Sequence, residues 1–185
     1  MKKIAFSQGA YIDSHKKFAG IPGLCVGLSI VWLDSKVKNR VFNEYVEREK
    51  IQSRVLGIQT NGDALDDMEG FFKAWSKERG CKLIEGNIHV REHLSYSALL
   101  IEILRDIVAP TSSNIIYGIL SVGHNCSGHC MAWVNNNGRY EFFDANAGIY
   151  SEMNSSDFFV HVNGHLKKYY PEDNSSAYVI KMGPK

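Results

Sequence analysis

Residues 128–146 carry the sequence Gly-His-Cys-Met-Ala-Trp-Val-Asn-Asn-Asn-Gly-Arg-Tyr-Glu-Phe-Phe-Asp-Ala-Asn. Two largely apolar runs flank the Asn-Gly pair at positions 137–138, and that dipeptide is the strongest short hairpin signal in a sequence. The segment therefore predicts two antiparallel strands joined by a tight turn. The hairpin decides the fold because it brings residues from its two open ends together.

The loop length sets the relation between His129 and Asp144. A two-residue loop places His129 diagonal to Asp144, and a four-residue loop over residues 135–138 places the two directly opposite each other. Both registers put the side chains on one face of the sheet, within reach of an imidazole–carboxylate hydrogen bond. A three-residue loop would separate them onto opposite faces.

A thiol stands far upstream, in an apolar run. Residues 23–33 read Gly-Leu-Cys-Val-Gly-Leu-Ser-Ile-Val-Trp-Leu and follow Pro22, so we predict a buried helix over residues 22–34 with Pro22 in its first turn. Cys25 would then face the positive end of the helix dipole, which lowers a thiol pKa. The small residues Gly23 and Gly27 would let other backbone approach closely.

Cys25, His129 and Asp144 together suit a nucleophile, a base and an orienting carboxylate. Brought together, they would form a cysteine-hydrolase or acyl-transfer site. Their chain order, with the Asp close behind the His and both far from the Cys, is typical of papain-like folds.

The rest of the chain predicts helices first and strands second. Residues 1–20 predict no regular structure. Further helices are expected over residues 42–58, 63–79, 95–108 and 156–169, and strands over residues 114–122, 128–134, 139–144 and 177–182. This is an α+β pattern with an antiparallel sheet. It would set the Cys-bearing helix against the His- and Asp-bearing sheet, with the catalytic cleft between them.

Composition sets the class of protein. The 185 residues are 44% hydrophobic and 22% charged, which predicts one globular domain over residues 1–185. The net charge of +1 gives no reason to expect nucleic-acid binding. We expect no membrane-spanning segment, no cleavable signal peptide and a monomer. Four cysteines in a chain of this size do not predict a disulfide scaffold.

The segments around Cys25 and from His129 to Asn146 resemble two sequence blocks of the YopT/AvrPphB family of bacterial type III effector cysteine proteases. The first similar block is Gly-x-Cys-x-Gly-Leu-Ser-x-x-Trp-Leu around Cys25. The second is Gly-His followed, fifteen residues after His129, by Asp144 of Phe-Phe-Asp-x-Asn-x-Gly. The resemblance implies a papain-like fold with Cys25 as nucleophile, His129 as base and Asp144 as orienter. It also implies a secreted virulence protease without a cofactor, delivered into a host cytoplasm to cut a host signalling protein.

One position departs from the papain pattern. The glutamine that supplies an oxyanion donor in papain-type enzymes would lie six residues before Cys25, where Ala19 stands. Gln8 is a candidate for this donor, and the backbone N–H of Cys25 is the stronger one.

The sequence also allows a metal site, an acyltransferase and a binding module. His124, Cys126, His129 and Cys130 fall within seven residues, but a zinc site normally takes a second ligand pair from another element, and none is visible. We therefore expect no metal. A transglutaminase-type acyltransferase would use the same three residues, and a binding module descended from such an enzyme is a third class.

Two neighbours of the predicted site have two interpretations each. Asn146 would either orient His129 or stabilise the loop before Gly148, and we favour the loop. Trp133 would either cover the His–Asp pair or simply pack in the sheet.

Overall fold

The computed structural model describes residues 1–62, 68–90, 95–124, 127–170 and 176–185. Its strands form one antiparallel sheet of seven strands in the order β1-β6-β5-β4-β3-β7-β2. The strands are β1 Lys2–Ile4, β2 Cys81–Val90, β3 Ile115–His124, β4 Ser127–Asn136, β5 Arg139–Asp144, β6 Gly148–Met153 and β7 Ser176–Pro184. The hairpin of β4 and β5 lies in the middle of the sheet.

Helices cover both faces of this sheet. They are α1 Gln8–Ser14, α2 Cys25–Val37, α3 Phe42–Val46, α4 Glu49–Gly62, α5 Met68–Glu78, α6 Tyr96–Val108 and α7 Ser155–Tyr169. A 3₁₀ turn spans Lys16–Phe18. Side chains of β4 alternate between the faces: Ala132 and Val134 pack in the core that contains α2, whereas Met131 and Trp133 pack in the core that contains α6 and α7.

The apolar helix α2 is fixed against its neighbours at three points. A Cβ on Gly27 would lie 2.3 Å from the Val55 carbonyl oxygen, so only glycine allows α4 to pack this closely. The Ser29 hydroxyl donates to the Cys130 carbonyl at 3.0 Å. Trp32 stacks on Phe143 with ring centroids 5.6 Å apart. These contacts hold the N-terminus of α2 beside β4.

The predicted α+β class, with an antiparallel sheet and a Cys-bearing helix packed on it, is confirmed. The expectation of irregular structure over residues 1–20 is wrong. Ser7 caps α1 by accepting from the Ala10 N–H at 3.5 Å, and β1 pairs with β6, a long-range contact that no local pattern encodes. The helix expected from residue 22 begins instead at Cys25, so Pro22 lies ahead of it.

Other boundaries also differ from prediction. The helix expected over residues 42–58 is two helices, α3 and α4, separated after Val46. Residues 63–67, the start of the next predicted helix, lie outside the described residues. Strands β2 and β6 were not predicted, because β2 lies at a sheet edge without a clear apolar alternation and β6 follows β5 after a very short turn. Among the described residues, no helix is both long and apolar enough to cross a bilayer.

Candidate active site

The β4–β5 turn has the two-residue register. Asn137 and Gly138 have φ values of 52° and 81°, as a type I′ turn requires. Met131 is paired with Asp144, so the alternative four-residue register is wrong. His129 is therefore diagonal to Asp144, and its Nε2 lies 2.8 Å from the Asp144 Oδ1.

Cys25 is the first residue of α2 and lies next to the His129 ring. Burial raises the pKa of the Cys25 thiol, but its hydrogen bond to His129 and the charge of that ring outweigh burial, so the pKa lies below its ordinary value. The residue is half-buried. The arrangement favours the thiolate form of Cys25.

The pKa values of His129 and Asp144 are also shifted, each towards the charged form of the group. Burial lowers the pKa of His129, but hydrogen bonds to Asp144 and Cys25 raise it to about 9. Burial also raises the pKa of Asp144, yet its hydrogen bonds from His129 and His165 hold that pKa well below the ordinary range. A thiolate, an imidazolium and a carboxylate are the charge states that these directions favour.

Two glutamine side chains accept hydrogen bonds from backbone N–H groups at the start of α2. The Gln8 Oε1 accepts from the Leu24 N–H at 2.8 Å. The Gln59 Oε1 accepts from the N–H groups of Val26 and Gly27 at 3.0 and 3.2 Å. Within the described part of the chain, the amide between them, that of Cys25, makes no hydrogen bond. It is therefore available to a bound group beside the thiol.

Asn146 stabilises the loop and does not contact the His129 ring among the described hydrogen bonds. Its backbone N–H donates to the Asp144 Oδ1 at 2.8 Å, and its side-chain oxygen accepts from the Gln8 Nε2. Its Nδ2 donates to the Tyr170 hydroxyl at 3.4 Å. Asn146 thus links the carboxylate loop to Gln8 of α1, whose side chain reaches the start of α2, as the favoured loop role predicted.

The remaining residues of the Phe-Phe-Asp-x-Asn-x-Gly block pack around the loop that follows Asp144. Phe143 packs on the α2 face, and Phe142 packs on the α7 face. Gly148 has a φ of 114°, and a Cβ there would lie 2.5 Å from the Ile4 carbonyl oxygen, where β1 crosses. Trp133 packs near Phe158 in the sheet core, so its packing role is the one observed. Another aromatic residue, Tyr170, covers His129 instead.

The possible zinc ligands weighed above, His124, Cys126, His129 and Cys130, lie only partly in the described structure. Asn125 and Cys126 are outside it, and the side chains of residues 124 and 127 are not described. Over the described ranges, no group of three or more potential ligands comes together. Cys130 points into the α2 core, away from the face of the sheet that carries Asp144. Cys25, Cys81 and Cys130 are free thiols.

Three residues near the site were not singled out by the sequence. Gln59 caps α2, and His165 and Tyr170 both hydrogen-bond to Asp144. The one local signal was a pair of histidines at helical spacing, His161 and His165, which by itself indicates only a shared helix face.

Comparison with protein families adds an independent finding. Residues 5–177 match the peptidase family of the Yersinia/Haemophilus virulence surface antigen. The chain belongs to this family. The family match includes the Cys25 block and the His129–Asp144 hairpin. The resemblance stated from the sequence is thereby confirmed. No curated protein sequence is a significant match.

Solved structures show the same fold. The Pseudomonas avirulence protein AvrPphB superposes with a TM-score of 0.63 and 21% identity, over 86% of this chain and 91% of its own. The cysteine protease-like domain PatoxP of the Photorhabdus asymbiotica toxin PaTox gives a TM-score of 0.50 and 14% identity, over 97% of this chain and 53% of its own. This member of the virulence surface antigen family therefore has a cysteine protease-like fold.

Proposed function

We propose that this chain is a cysteine endopeptidase in which Cys25 is the nucleophile, His129 the general base and acid, and Asp144 the residue that orients His129. The observation that carries the proposal is the grouping of Cys25, His129 and Asp144 at the N-terminus of α2, where the His129 ring interacts with the thiol and its Nε2 lies 2.8 Å from the Asp144 Oδ1. The family match supports it, because the chain belongs to a peptidase family.

The proposed reaction begins with an ion pair. His129 takes the Cys25 proton, and the thiolate attacks the carbonyl carbon of the scissile peptide bond. The resulting imidazolium, stabilised by Asp144, returns a proton to the leaving amine, and an acyl-enzyme remains. Water, deprotonated by His129, then hydrolyses the thioester and restores the thiol. No step calls for a metal or a cofactor.

The oxyanion of the tetrahedral intermediate needs donors beside the thiol. We propose the Cys25 backbone N–H as the first, because the neighbouring amides are already bonded to Gln8 and Gln59. Gln8 is proposed as the second. Its Oε1 is held by Leu24, and of its two amide hydrogens one is donated to Asn146. The other hydrogen remains for the oxyanion.

The biological role is proposed from the family. Residues 1–185 would act as one monomeric catalytic domain, secreted as a type III effector and delivered into a host cytoplasm. The substrate would be a host protein, and a signalling protein is the class we favour. Membership of a virulence antigen family and likeness to an avirulence protein support this role.

Comparison of protein N-termini tests the proposal. Host-cell lysate is incubated with the wild type, with Cys25→Ala and with His129→Ala, and new N-termini are identified by mass spectrometry. Endopeptidase activity predicts new N-termini with the wild type that are absent with both variants. A mass shift on one intact chain would instead indicate the acyltransferase, and no covalent change at all would contradict both enzymes and favour a binding module.

A further inference from the structure

The carboxylate of Asp144 is held from two sides. Its Oδ1 accepts from His129 and from the Asn146 N–H, each at 2.8 Å. Its Oδ2 accepts from the His165 Nε2 at 2.6 Å and from the Tyr170 hydroxyl at 2.8 Å. Asp144 has no solvent exposure, so these four donors replace water entirely. Two of the donors belong to the end of α7, outside the path from Cys25 to Asp144.

Tyr170 contacts the proposed base as well as its orienter. Its ring stacks on the His129 ring with centroids 4.6 Å apart and planes 17° apart. Burial and then the Asp144 charge raise the pKa of its hydroxyl, so the group stays protonated and donates. Its position is fixed because its backbone N–H donates to Leu166 at 2.9 Å and its carbonyl accepts from the Tyr96 hydroxyl.

His165 has a matching role on the inner side of the helix. Its side chain is 2% exposed, and its Nε2 must carry the proton because an ionised carboxylate can only accept. His165 also lines a surface cavity of about 380 Å³ together with His161, Lys168 and Tyr169. The proposed reaction moves no proton through His165.

We propose that His165 and Tyr170 are positioning residues that lock the Asp144 carboxylate in the orientation that aligns His129 with Cys25. The inference rests on the proposed function and deepens it. A carboxylate held only at Oδ1 could rotate about its Cβ–Cγ bond, and a misplacement of about 1 Å in such a site can cost about 100-fold in rate. The two α7 donors at Oδ2 prevent this rotation, and the Tyr170 ring keeps the imidazole plane in place.

Loss of either donor has an effect with a definite sign. If Asp144 turns, His129 loses the partner that holds its proton, and the hydrogen bond and charge that lower the Cys25 pKa weaken. The pKa of Cys25 then rises towards its ordinary value. Among the described residues, the titratable groups that hydrogen-bond to Asp144 are His129 on β4, His165 on α7 and Tyr170 at the C-cap of α7. The Cys130 thiol, on the other face of β4, interacts with Asp144 only through charge.

The test measures the rate of Cys25 alkylation by iodoacetamide between pH 5 and 9, a readout that needs no substrate. His165→Leu removes one donor, and Tyr170→Phe removes the other while keeping the stacked ring. Each should slow alkylation at pH 6 by about tenfold, equal to a shift of about one unit in the apparent pKa. His165→Gln, whose Nε2 can occupy the place of the imidazole Nε2, should restore most of the rate.

A neighbouring histidine provides the matched control. His161 lies one turn earlier on α7, with its ring 5.9 Å from that of His165, but it makes no described hydrogen bond to Asp144. His161→Leu should leave the alkylation profile unchanged, and thermal unfolding should verify that every variant is folded. If His165→Leu does not fold, Tyr170→Phe alone decides. Unchanged profiles in the folded variants, or an equal shift in His161→Leu, would overturn the proposal.

Nuclear magnetic resonance of the ring N–H protons separates this inference from the proposed function. The His129 and His165 Nε2–H protons should both resonate far downfield in the wild type, and the His129 signal should move in His165→Leu and Tyr170→Phe. If wild-type Cys25 proves unreactive, the proposed function fails, whereas these signals still report whether α7 holds Asp144. A His129 signal that is unaffected by both variants would contradict the positioning role.

Discussion

His129 lies diagonal to Asp144 across the β4–β5 hairpin, and its Nε2 is 2.8 Å from the carboxylate Oδ1. The offset is fixed by the two-residue turn at the other end of the hairpin, where Asn137 and Gly138 both have positive φ. A change at this turn, remote from the thiol, should therefore affect the alignment of the proposed base.

Gly138→Val tests this connection. Gly138 has a φ of 81°, which a β-branched residue adopts at a cost of about 1–2 kcal/mol. We expect a lower free energy of unfolding and a fall in kcat/KM per folded molecule. Denaturant unfolding and the cleavage rate would be measured on the same samples. Gly138→Asn is the matched control, because asparagine tolerates this conformation, and it should lose much less of both.

Inserting a residue into the β4–β5 turn distinguishes the effect of hairpin register from the effect of backbone strain in the turn. One residue added after Asn136 forces an odd-length loop or a bulge if His129 and Asp144 are to stay on one face of the sheet. Specific activity should fall further than in Gly138→Val. Unchanged specific activity in the insertion variant would show that the hairpin register does not align the two side chains.

The Asp144 environment predicts an order among substitutions. In Asp144→Asn the amide oxygen can still accept from His129. The amide nitrogen can only donate, so Tyr170 and His165 would each have to change from donor to acceptor to keep their hydrogen bonds. We expect Asp144→Asn to keep more activity than His129→Ala and to be destabilised by about 1–3 kcal/mol. Activity assays and thermal unfolding would test this order. Higher activity in His129→Ala than in Asp144→Asn would contradict the assigned roles.

Gln59 offers a test of the electrostatics at the start of α2. Gln59→Glu keeps an oxygen that accepts from Val26 and Gly27, but it places a negative charge near the Cys25 thiolate. The pKa of Cys25 should rise, and alkylation at pH 6 should slow by about tenfold. Gln59→Leu instead leaves two amides without acceptors and should destabilise the fold by about 1–3 kcal/mol. A Glu variant that reacts as fast as the wild type would refute this effect.

Sequence patterns predicted the hairpin and α2 because each is encoded locally. The Asn-Gly dipeptide sets the turn, and the apolar run with Gly27 and Trp32 sets the buried helix. The donors to Asp144 from α7 could not be predicted, since His165 and Tyr170 reach the site through tertiary packing of an element far along the chain. The same reason explains why Gln59 was missed.

The pH dependence of cleavage follows from the two shifted groups. As pH rises through the lowered pKa of Cys25, the thiolate forms and kcat/KM should increase. As pH rises through about 9, His129 loses the proton that it gives to the leaving amine, and kcat/KM should fall. The profile would be measured with a peptide that spans an identified cleavage site. An alkaline limb near 6.5, the ordinary value for histidine, would contradict the support from Asp144.

Asp144→Ala provides the control for the fall in kcat/KM at alkaline pH. Without the carboxylate, the hydrogen bond and charge that raise the His129 pKa are lost, so any residual activity should decline at lower pH than in the wild type. A limb that stays at about 9 in this variant would mean that a group other than His129 is titrating.

Activation of the Cys25 thiol by His129 is tested by the rate at which each cysteine of the folded protein reacts with iodoacetamide at pH 6.5, followed by peptide mass spectrometry. Burial raises the pKa of Cys81 and of Cys130, whereas His129 lowers that of Cys25. We predict that Cys25 is alkylated much faster than Cys81, Cys126 and Cys130, and that His129→Ala removes this advantage. Equal rates for the four thiols, or fast Cys25 labelling that persists in His129→Ala, would contradict it.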